Sequence, residues 1–424
     1  MPAPLSSLIT VPARDLSAAL ADGSAASRRC LRQWLALVPD PRKRAGRWHP
    51  LEFILALAVC AFTAAGHDSP TAIAEWAAGC SRQTLLILGG RPDPLTGRTW
   101  PPSTRTFRRV FGKISADAFN QALYDYLEAM PAGGLPSAAR REREQRRAAA
   151  AAREPAVPGL LPQAAADGKT ARGAVRPDGS QVHLLSAYHV TEERTMAQRE
   201  VDARTNEIPE LGPMLKGLNL DGMVITADAL HGQRETARMI TEDLHAHYLL
   251  FIKANQPSLL NAVMTRLAGT DAEFADAAWI QEGKGHGRRE KRTIRTAPAT
   301  GIDWPHAAQV LRIRRDSGPT AGPWASKEIA YGITSLPESL ASPRHLAVYA
   351  RQHWTIENKE HYVRDVTFRE DAQKTRTGNQ PNAHAGIRNL VIGTFRKKGH
   401  ANIASARRYY GRDDQRILTL YGYT

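Results

Sequence analysis

The sequence predicts a protein of α/β class in which a helical N-terminal domain precedes a larger domain of mixed strands and helices. Apolar residues recur at helical spacing within residues 25–130, whereas strand and helix patterns alternate from about residue 161. Between them, residues 131–160 begin with Pro, Gly and Ser and continue as an Arg/Ala-rich run, which is typical of a linker. We also predict a flexible N-terminus over residues 1–24 and a tail over residues 399–424.

Composition and charge favour a protein that binds nucleic acid. The chain has 424 residues, and its 57 Lys and Arg exceed its 42 Asp and Glu to give a net charge of +15. Such a charge attracts polyanions, although a basic protein that merely stays soluble would share it. No apolar run reaches transmembrane length and no secretion signal is recognisable, so we expect a cytoplasmic protein. Three widely spaced cysteines argue against a disulfide framework and against a zinc site.

Five helices are predicted in the N-terminal domain. They span, in chain order, Arg28–Val38, Leu51–Ala65, Pro70–Ala78, a basic segment that follows Ser103, and Asp117–Met130. Ser69 and Ser103 can cap the helices after them, because a serine oxygen accepts from free backbone N–H groups. The basic helix carries Arg105, Arg108 and Arg109, so we predict that it contacts DNA as a helix-turn-helix reader would. A basic surface without a partner is the alternative.

The larger domain, residues 161–398, follows the order β-β-β-α-β-α-β, which is that of an RNase H-like fold. The predicted strands are Ala164–Asp167, Val182–Val190, Thr195–Val201, Met223–Asp228 and Tyr248–Lys253, with helices over Glu207–Leu218 and Gln233–Leu244. A β-rich insertion at about 257–340 delays the closing helix. We predict that this helix begins near Ser342 and runs unbroken through HLAVYARQHWTIENKEHY, before a further helix over 383–398.

Three acidic residues stand where an active site is expected in this topology. Asp167 ends the first strand before a tight Asp-Gly turn, Asp228 ends an apolar strand, and Glu357 lies on the closing helix. Because active sites of open sheets form at the carboxyl ends of strands, Asp167 and Asp228 are predicted to lie side by side with Glu357 across them. Clustered carboxylates suit Mg²⁺ or Mn²⁺, and a two-ion site promotes phosphoryl transfer. Taken singly, each acid is better explained as a turn, cap or surface residue.

Short motifs in a fixed order add a family resemblance. The phrases are ADGKTARG, HLLSAY, TNEIPEL, TADALHGQ, FIKANQ, GHGRRE, RQHWTIEN and DVTFREDA, preceded by LVPDPRKRAGRWHPLEFILALAV, AIAEWA and PSTRTFRRV. Together, over about 30–395, they resemble the ISAs1 family of insertion-sequence transposases within the IS4-like DDE group, including its N-terminal associated domain. The resemblance implies an RNase H-like fold, a DDE triad at Asp167, Asp228 and Glu357, and Mg²⁺, for which Mn²⁺ may substitute.

The resemblance also implies a reaction and its partners. We predict metal-dependent cleavage and strand transfer, acting on double-stranded DNA that carries the terminal inverted repeats of the element and on target DNA. A homodimer on DNA is expected because two active sites must act on two ends, and the bound protein would be associated with the nucleoid. Two alternatives stay open: a standalone metal-dependent nuclease, and an inactive domesticated protein that only binds DNA.

The residues around Glu357 depart from the wider group. The IS4-like signature is Tyr-x2-Arg-x3-Glu-x6-Lys, and this chain has Ala350, His353 and Arg364 at the Tyr, Arg and Lys places. We predict that His353 and Arg364 still contact phosphate and that Arg351 contributes another contact. The further predicted DNA contacts, each with a structural or solvated role as its alternative, are Lys169, Lys253, His286 and Arg288.

Overall fold

A computed structural model describes residues 30–131, 133, 157–270, 272–285 and 287–423, and these form two compact units. The helical unit combines the described part of Met1–Ala132 with Thr375–Phe395 and the described part of Asn402–Thr424. The α/β unit combines the described part of Gly133–Lys374 with Arg396–Ala401. The N-terminus predicted to be flexible, and most of the predicted linker, lie outside the described residues.

Six helices open the helical unit in its described part. They are α1 (Leu31–Leu35), α2 (Leu51–Thr63), α3 (Pro70–Gly79), α4 (Arg82–Ile87), α5 (Thr104–Lys113) and α6 (Ala116–Ala129). Ser69 and Ser103 cap α3 and α5 as expected, since each side chain accepts the backbone N–H three residues further on. The apolar α2 is buried over nearly its whole length. Within the described residues, no helix is both long enough and apolar enough to cross a membrane.

A nine-stranded sheet is the framework of the α/β unit. Its strands are β1 (Gln163–Val175), β2 (Gln181–His189), β3 (Arg194–Val201), β4 (Val224–Ala227), β5 (His247–Ile252), β6 (Ala278–Gly285), β7 (Arg288–Pro298), β8 (Gln309–Pro319) and β9 (Ser326–Thr334). The order across the sheet is β3-β2-β1-β4-β5-β9-β8-β7-β6. Strands β1, β4 and β5 run parallel, and the other neighbours are antiparallel. The first five strands confirm the predicted RNase H-like arrangement.

Strand β1 differs from its prediction at the Asp-Gly step. A tight turn is expected after Asp167, but β1 continues through Gly168 to Val175 and stays paired with β2 over most of that length. The turn lies further on, where Gly179 has a φ of +85° between the two strands. An Asp-Gly pair favours a turn only where no partner strand takes up its backbone hydrogen bonds, and here β2 supplies that partner.

The predicted insertion continues the main sheet. Strand β9 pairs antiparallel with β5, with Ile333 opposite Leu250, and β8, β7 and β6 follow outward. Ile333 belongs to the same apolar cluster as Leu250 and as Val310 on β8. Strand β6 could not be recognised from the sequence. None of its residues is buried, so its sequence lacks an alternating apolar pattern.

One helix of the α/β unit is interrupted, although the sequence predicts that it runs unbroken. Helices α7 (Ile208–Leu215), α8 (Arg234–Arg238) and α9 (Pro257–Arg266) follow β3, β4 and β5. The closing helix is divided into α10 (Pro343–Gln352), a π-helical turn (Glu357–His361) and α11 (Tyr362–Val366). Such π turns are rare in helices and concentrate at functional sites.

The C-terminal helices do not follow the predicted domain limits, because Thr375–Phe395 belongs to the helical unit. They are α12 (Gln380–Lys397), α13 (Ile403–Tyr410) and α14 (Asp414–Leu420). On α12, the ring centroid of His384 lies 5.3 Å from that of Phe62 and 5.1 Å from that of Phe111. Tyr421 shares a hydrogen bond of 2.7 Å with Thr63. These buried contacts join α12 up to Phe395, and the segment predicted to be a tail, to the N-terminal helices.

Replacing Ile333 by Ala is expected to destabilise the α/β unit by about 3 kcal/mol, because it empties a fully buried position where β9 joins β5. Ile329→Ala is the matched control on the same strand. Its side chain is 43% exposed, and its loss is expected to cost less than about 1 kcal/mol. Chemical denaturation followed by far-ultraviolet circular dichroism measures both, and equal losses would contradict the placement of β9 in the main sheet.

Candidate metal centre

The sheet brings two predicted carboxylates to neighbouring positions, one within β1 and one directly after β4. Strands β1 and β4 run parallel with Ala166 opposite Ala227, so Asp167 and Asp228 are the next residues on neighbouring strands. Neighbouring strands lie about 5 Å apart, and residues in register project to the same face. Asp228 also caps the short turn after β4, since its Oδ1 accepts the backbone N–H of Leu230 at 2.9 Å. This cap holds the carboxylate at the end of its strand.

The π-helical turn brings Glu357 to Asp167 together with a histidine that the sequence analysis does not single out. His361 Nδ1 lies 2.8 Å from Glu357 Oε2 and 3.6 Å from Asp167 Oδ2. One ligand atom from each of the three residues lies within 4.8 Å of the others, a spacing that a metal ion can bridge. The available sequence signal was the spacing of Glu357 and His361, because residues four apart share a helix face.

Burial and neighbouring charge set the acidity of these carboxylates. Burial raises the pKa of Asp167 to about 6, although His361 and the backbone N–H of Gly168 act to lower it. The hydrogen bond with His361 lowers the pKa of Glu357. Carboxylate oxygens are the preferred ligands of hard divalent cations, and imidazole is a common metal ligand. The donor set therefore fits a divalent metal ion, whose charge would favour the ionised form of Asp167.

A further carboxylate near Asp167 is held between two histidines. Glu207 Oε1 lies 2.6 Å from His183 Nε2, and Glu207 Oε2 lies 3.1 Å from His231 Nε2. Burial acts to raise the pKa of Glu207, but hydrogen bonds with both histidines lower it to about 2. Glu207 stands in the motif TNEIPEL, to which the sequence analysis assigns no chemical role.

Three residues predicted to contact DNA are buried. Lys169 Nζ lies 2.7 Å from Asp365, and Arg364, which has no exposed surface, makes two hydrogen bonds of 2.7 and 3.1 Å to Glu370. His353 is 7% exposed, and burial lowers its pKa to about 4, so it is neutral at pH 7. Burial thus argues against the phosphate contacts predicted for these three residues. Lys169 and Arg364 instead hold the end of the closing helix by ion pairs.

The other predicted DNA contacts that the structure describes are exposed. The exposed residues are Arg105, Arg108, Arg109, Lys253, Arg288 and Arg351. The first three lie on α5 in the helical unit, and the last three lie in the α/β unit. His286 lies outside the described residues. Their exposure is compatible with DNA contact, which stays a prediction for all of them.

The chain belongs to the Transposase DDE domain family, whose sequence pattern matches residues 161–392. The pattern described as DDE_Tnp_1-associated matches residues 32–127. An uncharacterized protein in the dhlA 3′ region of Xanthobacter autotrophicus is 31% identical over 287 residues, which cover 66% of this chain and 84% of that protein. The putative transposase YncI of Escherichia coli O157:H7 is 26% identical over 382 residues, which cover 87% and 88%. The H repeat-associated putative transposase YhhI of Escherichia coli K12 is 29% identical over 241 residues, which cover 54% and 62%.

Family membership and fold together define a DDE transposase of the IS4-like group. The protein is therefore an enzyme of DNA transposition that cleaves DNA and transfers strands, binds DNA, and uses a divalent metal ion. The predicted class of fold and of activity is confirmed. Placement in the ISAs1 family within that group stays a prediction.

Replacing Asp167 by Asn is expected to raise the melting temperature of the metal-free protein at pH 8, because it removes an unfavourably buried charge. The pKa of Asp167 is about 6 in the folded protein, against an ordinary value of 3.8. The folded wild type therefore binds more protons than the unfolded chain between these values and loses stability as the pH rises through them.

The gain from Asp167→Asn should accordingly be full above about pH 7 and disappear below about pH 4. Melting curves across this range measure it, and Asp221→Asn, at an exposed position of the same unit, is the matched control. A gain that is equal at pH 4 and pH 8 would show that burial of the Asp167 charge is not its cause.

Proposed function

We propose that this transposase cuts the ends of an insertion sequence and joins them to target DNA, with Asp167, Asp228 and Glu357 as its metal-binding carboxylates. Two observations support the proposal: Asp167, Glu357 and His361 offer ligand atoms within 4.8 Å of one another, and Asp228 directly follows β4, the neighbour of β1. Asp167 and Asp228 follow a paired position on two parallel strands, and Glu357 approaches the same His361 nitrogen as Asp167 does. Each acid alone has an ordinary structural explanation, but a divalent cation would offset the repulsion from Glu357 that acts to raise the pKa of Asp167.

We propose Mg²⁺ as the metal, with Mn²⁺ able to substitute, because oxygen ligands dominate the site. When bound, such ions supply an activated oxygen nucleophile and neutralise charge on the phosphate. Asp167 and Asp228 would hold the metal from the sheet, and Glu357 would hold it from the closing helix. His361 restrains Glu357, whose carboxylate is 53% exposed and would otherwise be free to turn toward solvent.

The substrate that we propose is double-stranded DNA, both as the terminal inverted repeats of the element and as target. The net charge of +15 and the exposed arginines on α5 support it, because phosphate contacts supply most of the affinity for DNA and position the duplex. Lys253, Arg288 and Arg351 are the proposed contacts in the α/β unit. A homodimer on DNA follows from the need to cut two ends. This activity would take place in the cytoplasm, at the nucleoid.

Two other functions use parts of the same arrangement. A standalone nuclease would cut with these carboxylates and would not join strands, and a domesticated protein would bind DNA without cutting. Asp167 is partly buried, has a raised pKa and lies next to Glu357 and His361, and this arrangement favours an enzyme over a protein that only binds DNA, because such a carboxylate costs stability.

Purified protein with Mg²⁺ and labelled DNA that carries the ends of the element is expected to cleave those ends and join them to a plasmid. Asp228→Ala should lose both activities, because it removes a metal ligand. His361→Ala should lose about 10- to 100-fold in rate, because it removes the group that restrains Glu357. Asp221→Ala, an exposed aspartate of the same unit, is the control.

The products separate the three functions. Metal-dependent joining that Asp228→Ala abolishes would establish the proposed reaction. Cleavage without joining would favour the nuclease, and DNA binding with neither activity would leave a DNA-binding protein.

A further inference from the structure

Glu207 connects two segments that carry proposed metal ligands. It directly precedes α7, and its two carboxylate oxygens have different partners: His183 Nε2 on β2 at 2.6 Å and His231 Nε2 at 3.1 Å. His231 ends the turn that Asp228 begins. Through Nδ1, His183 also shares a hydrogen bond of 2.8 Å with Thr170 Oγ1 on β1. A continuous chain of hydrogen bonds therefore runs from β1 to the turn after β4.

The backbone beside Asp167 packs directly against this chain of hydrogen bonds. A Cβ placed on Gly168 would lie 2.0 Å from Glu207 Oε1 and 2.6 Å from His183 Nε2. Neither neighbour can withdraw freely, because each is held by hydrogen bonds on both sides. The glycine after Asp167 is thus needed for close approach of the Glu207 carboxylate to β1, and not for a turn.

The turn that carries Asp228 is held along its length. Asp228 Oδ1 accepts from the Leu230 N–H at its start, and Asn255 donates to the carbonyl of Ala229 at 2.8 Å. His231 at its end is fully buried, so its hydrogen bond to Glu207 forms away from water, where such bonds are stronger. Movement of Glu207 would therefore be transmitted to the Asp228 turn.

We propose that Glu207 is a positioning residue of the metal centre: by holding His183 and His231, it keeps the part of β1 that carries Asp167 at a fixed distance from the turn that carries Asp228. The inference rests on the function proposed for these two aspartates. Both oxygens of Glu207 are taken by histidines, so it acts through them and not as a ligand. Loss of a group that orients metal ligands in this way typically reduces metal affinity or activity about 10- to 100-fold.

Glu207→Gln tests the proposal with little change of shape. The amide nitrogen of Gln cannot accept a hydrogen bond, so one of the two histidine links is lost. We expect end cleavage at saturating Mn²⁺ and DNA to slow about 10- to 100-fold, and the affinity for Mn²⁺ alone, measured without DNA by electron paramagnetic resonance, to fall about 10-fold. The Kd for end DNA should stay unchanged, because the hydrogen bonds of Glu207 in the described structure go to His183 and His231 and not to the proposed DNA contacts. Thermal unfolding verifies that the variant is folded.

Glu210→Gln is the matched control. Glu210 lies three residues further along, also makes an ion pair, with Arg199 at 2.9 Å, and is 21% exposed against 15% for Glu207. It has no hydrogen bond to either histidine in the described structure, and its variant should behave as the wild type. His183→Asn, at a side chain that is 29% exposed, breaks the connection from Glu207 to Thr170 on β1, leaves that from Glu207 to His231, and serves if Glu207→Gln does not fold. Combined with Glu207→Gln, it should add little further loss, since both act through one connection.

A folded Glu207→Gln protein with wild-type Mn²⁺ affinity and cleavage rate would overturn the proposal, as would an equal loss in Glu210→Gln. If the wild type neither cleaves nor joins DNA, the proposed function fails. The Mn²⁺ affinities would still decide whether Glu207 positions the ligands, because they are measured without DNA.

Discussion

The partial burial of Asp167 next to the Glu357 carboxylate is the constraint on which the rest of this site depends. The parallel register of β1 and β4 makes Asp167 and Asp228 neighbours, and the π-helical turn adds Glu357. Burial then raises the pKa of Asp167 to about 6, so the metal-free site disfavours the ionised form of this carboxyl group. A carboxylate held in this way costs stability in the metal-free protein, and a bound cation would offset that cost.

The surrounding groups are arranged to hold these acids in place. His361 restrains Glu357, and Glu207 reaches both aspartate-bearing segments through two histidines. Buried ion pairs add little net stability, because the loss of hydration offsets their attraction, but they specify geometry. Arg364 with Glu370 and Lys169 with Asp365 are pairs of this kind, and they hold the end of the closing helix where Glu357 can reach the sheet.

The insertion affects the site through the sheet. Strand β9 pairs with β5, next to the strand that carries Asp228, and the chain then continues to α10 and the π-helical turn. The long excursion between β5 and the closing helix is therefore anchored to β5, the strand next to β4. Apolar contacts of Ile333 with both neighbouring strands make this anchor part of the main core.

The sequence by itself determined the order of the first five strands and the helices between them, the serine caps, and the position of Asp228 directly after an apolar strand. These features follow from local periodicity and local hydrogen bonding, which leave a direct record in the residue pattern. Tertiary structure decided whatever depends on contacts between distant residues. Arg364 was predicted to contact DNA because it stands at the Lys place of the IS4-like signature, and only the folded chain shows Glu370 facing it in the interior.

The same reason accounts for the other differences. From its local sequence, Gly168 is predicted to lie in a turn. In the structure it instead leaves room for the Glu207 carboxylate, which belongs to a distant part of the chain. The break in the closing helix, the pairing of β6 and the packing of α12 with the N-terminal helices likewise come from neighbours that local pattern does not encode. Fold class could be predicted because it depends on the sum of many local signals, whereas the contacts that tune the site depend on a few side chains brought together by the fold.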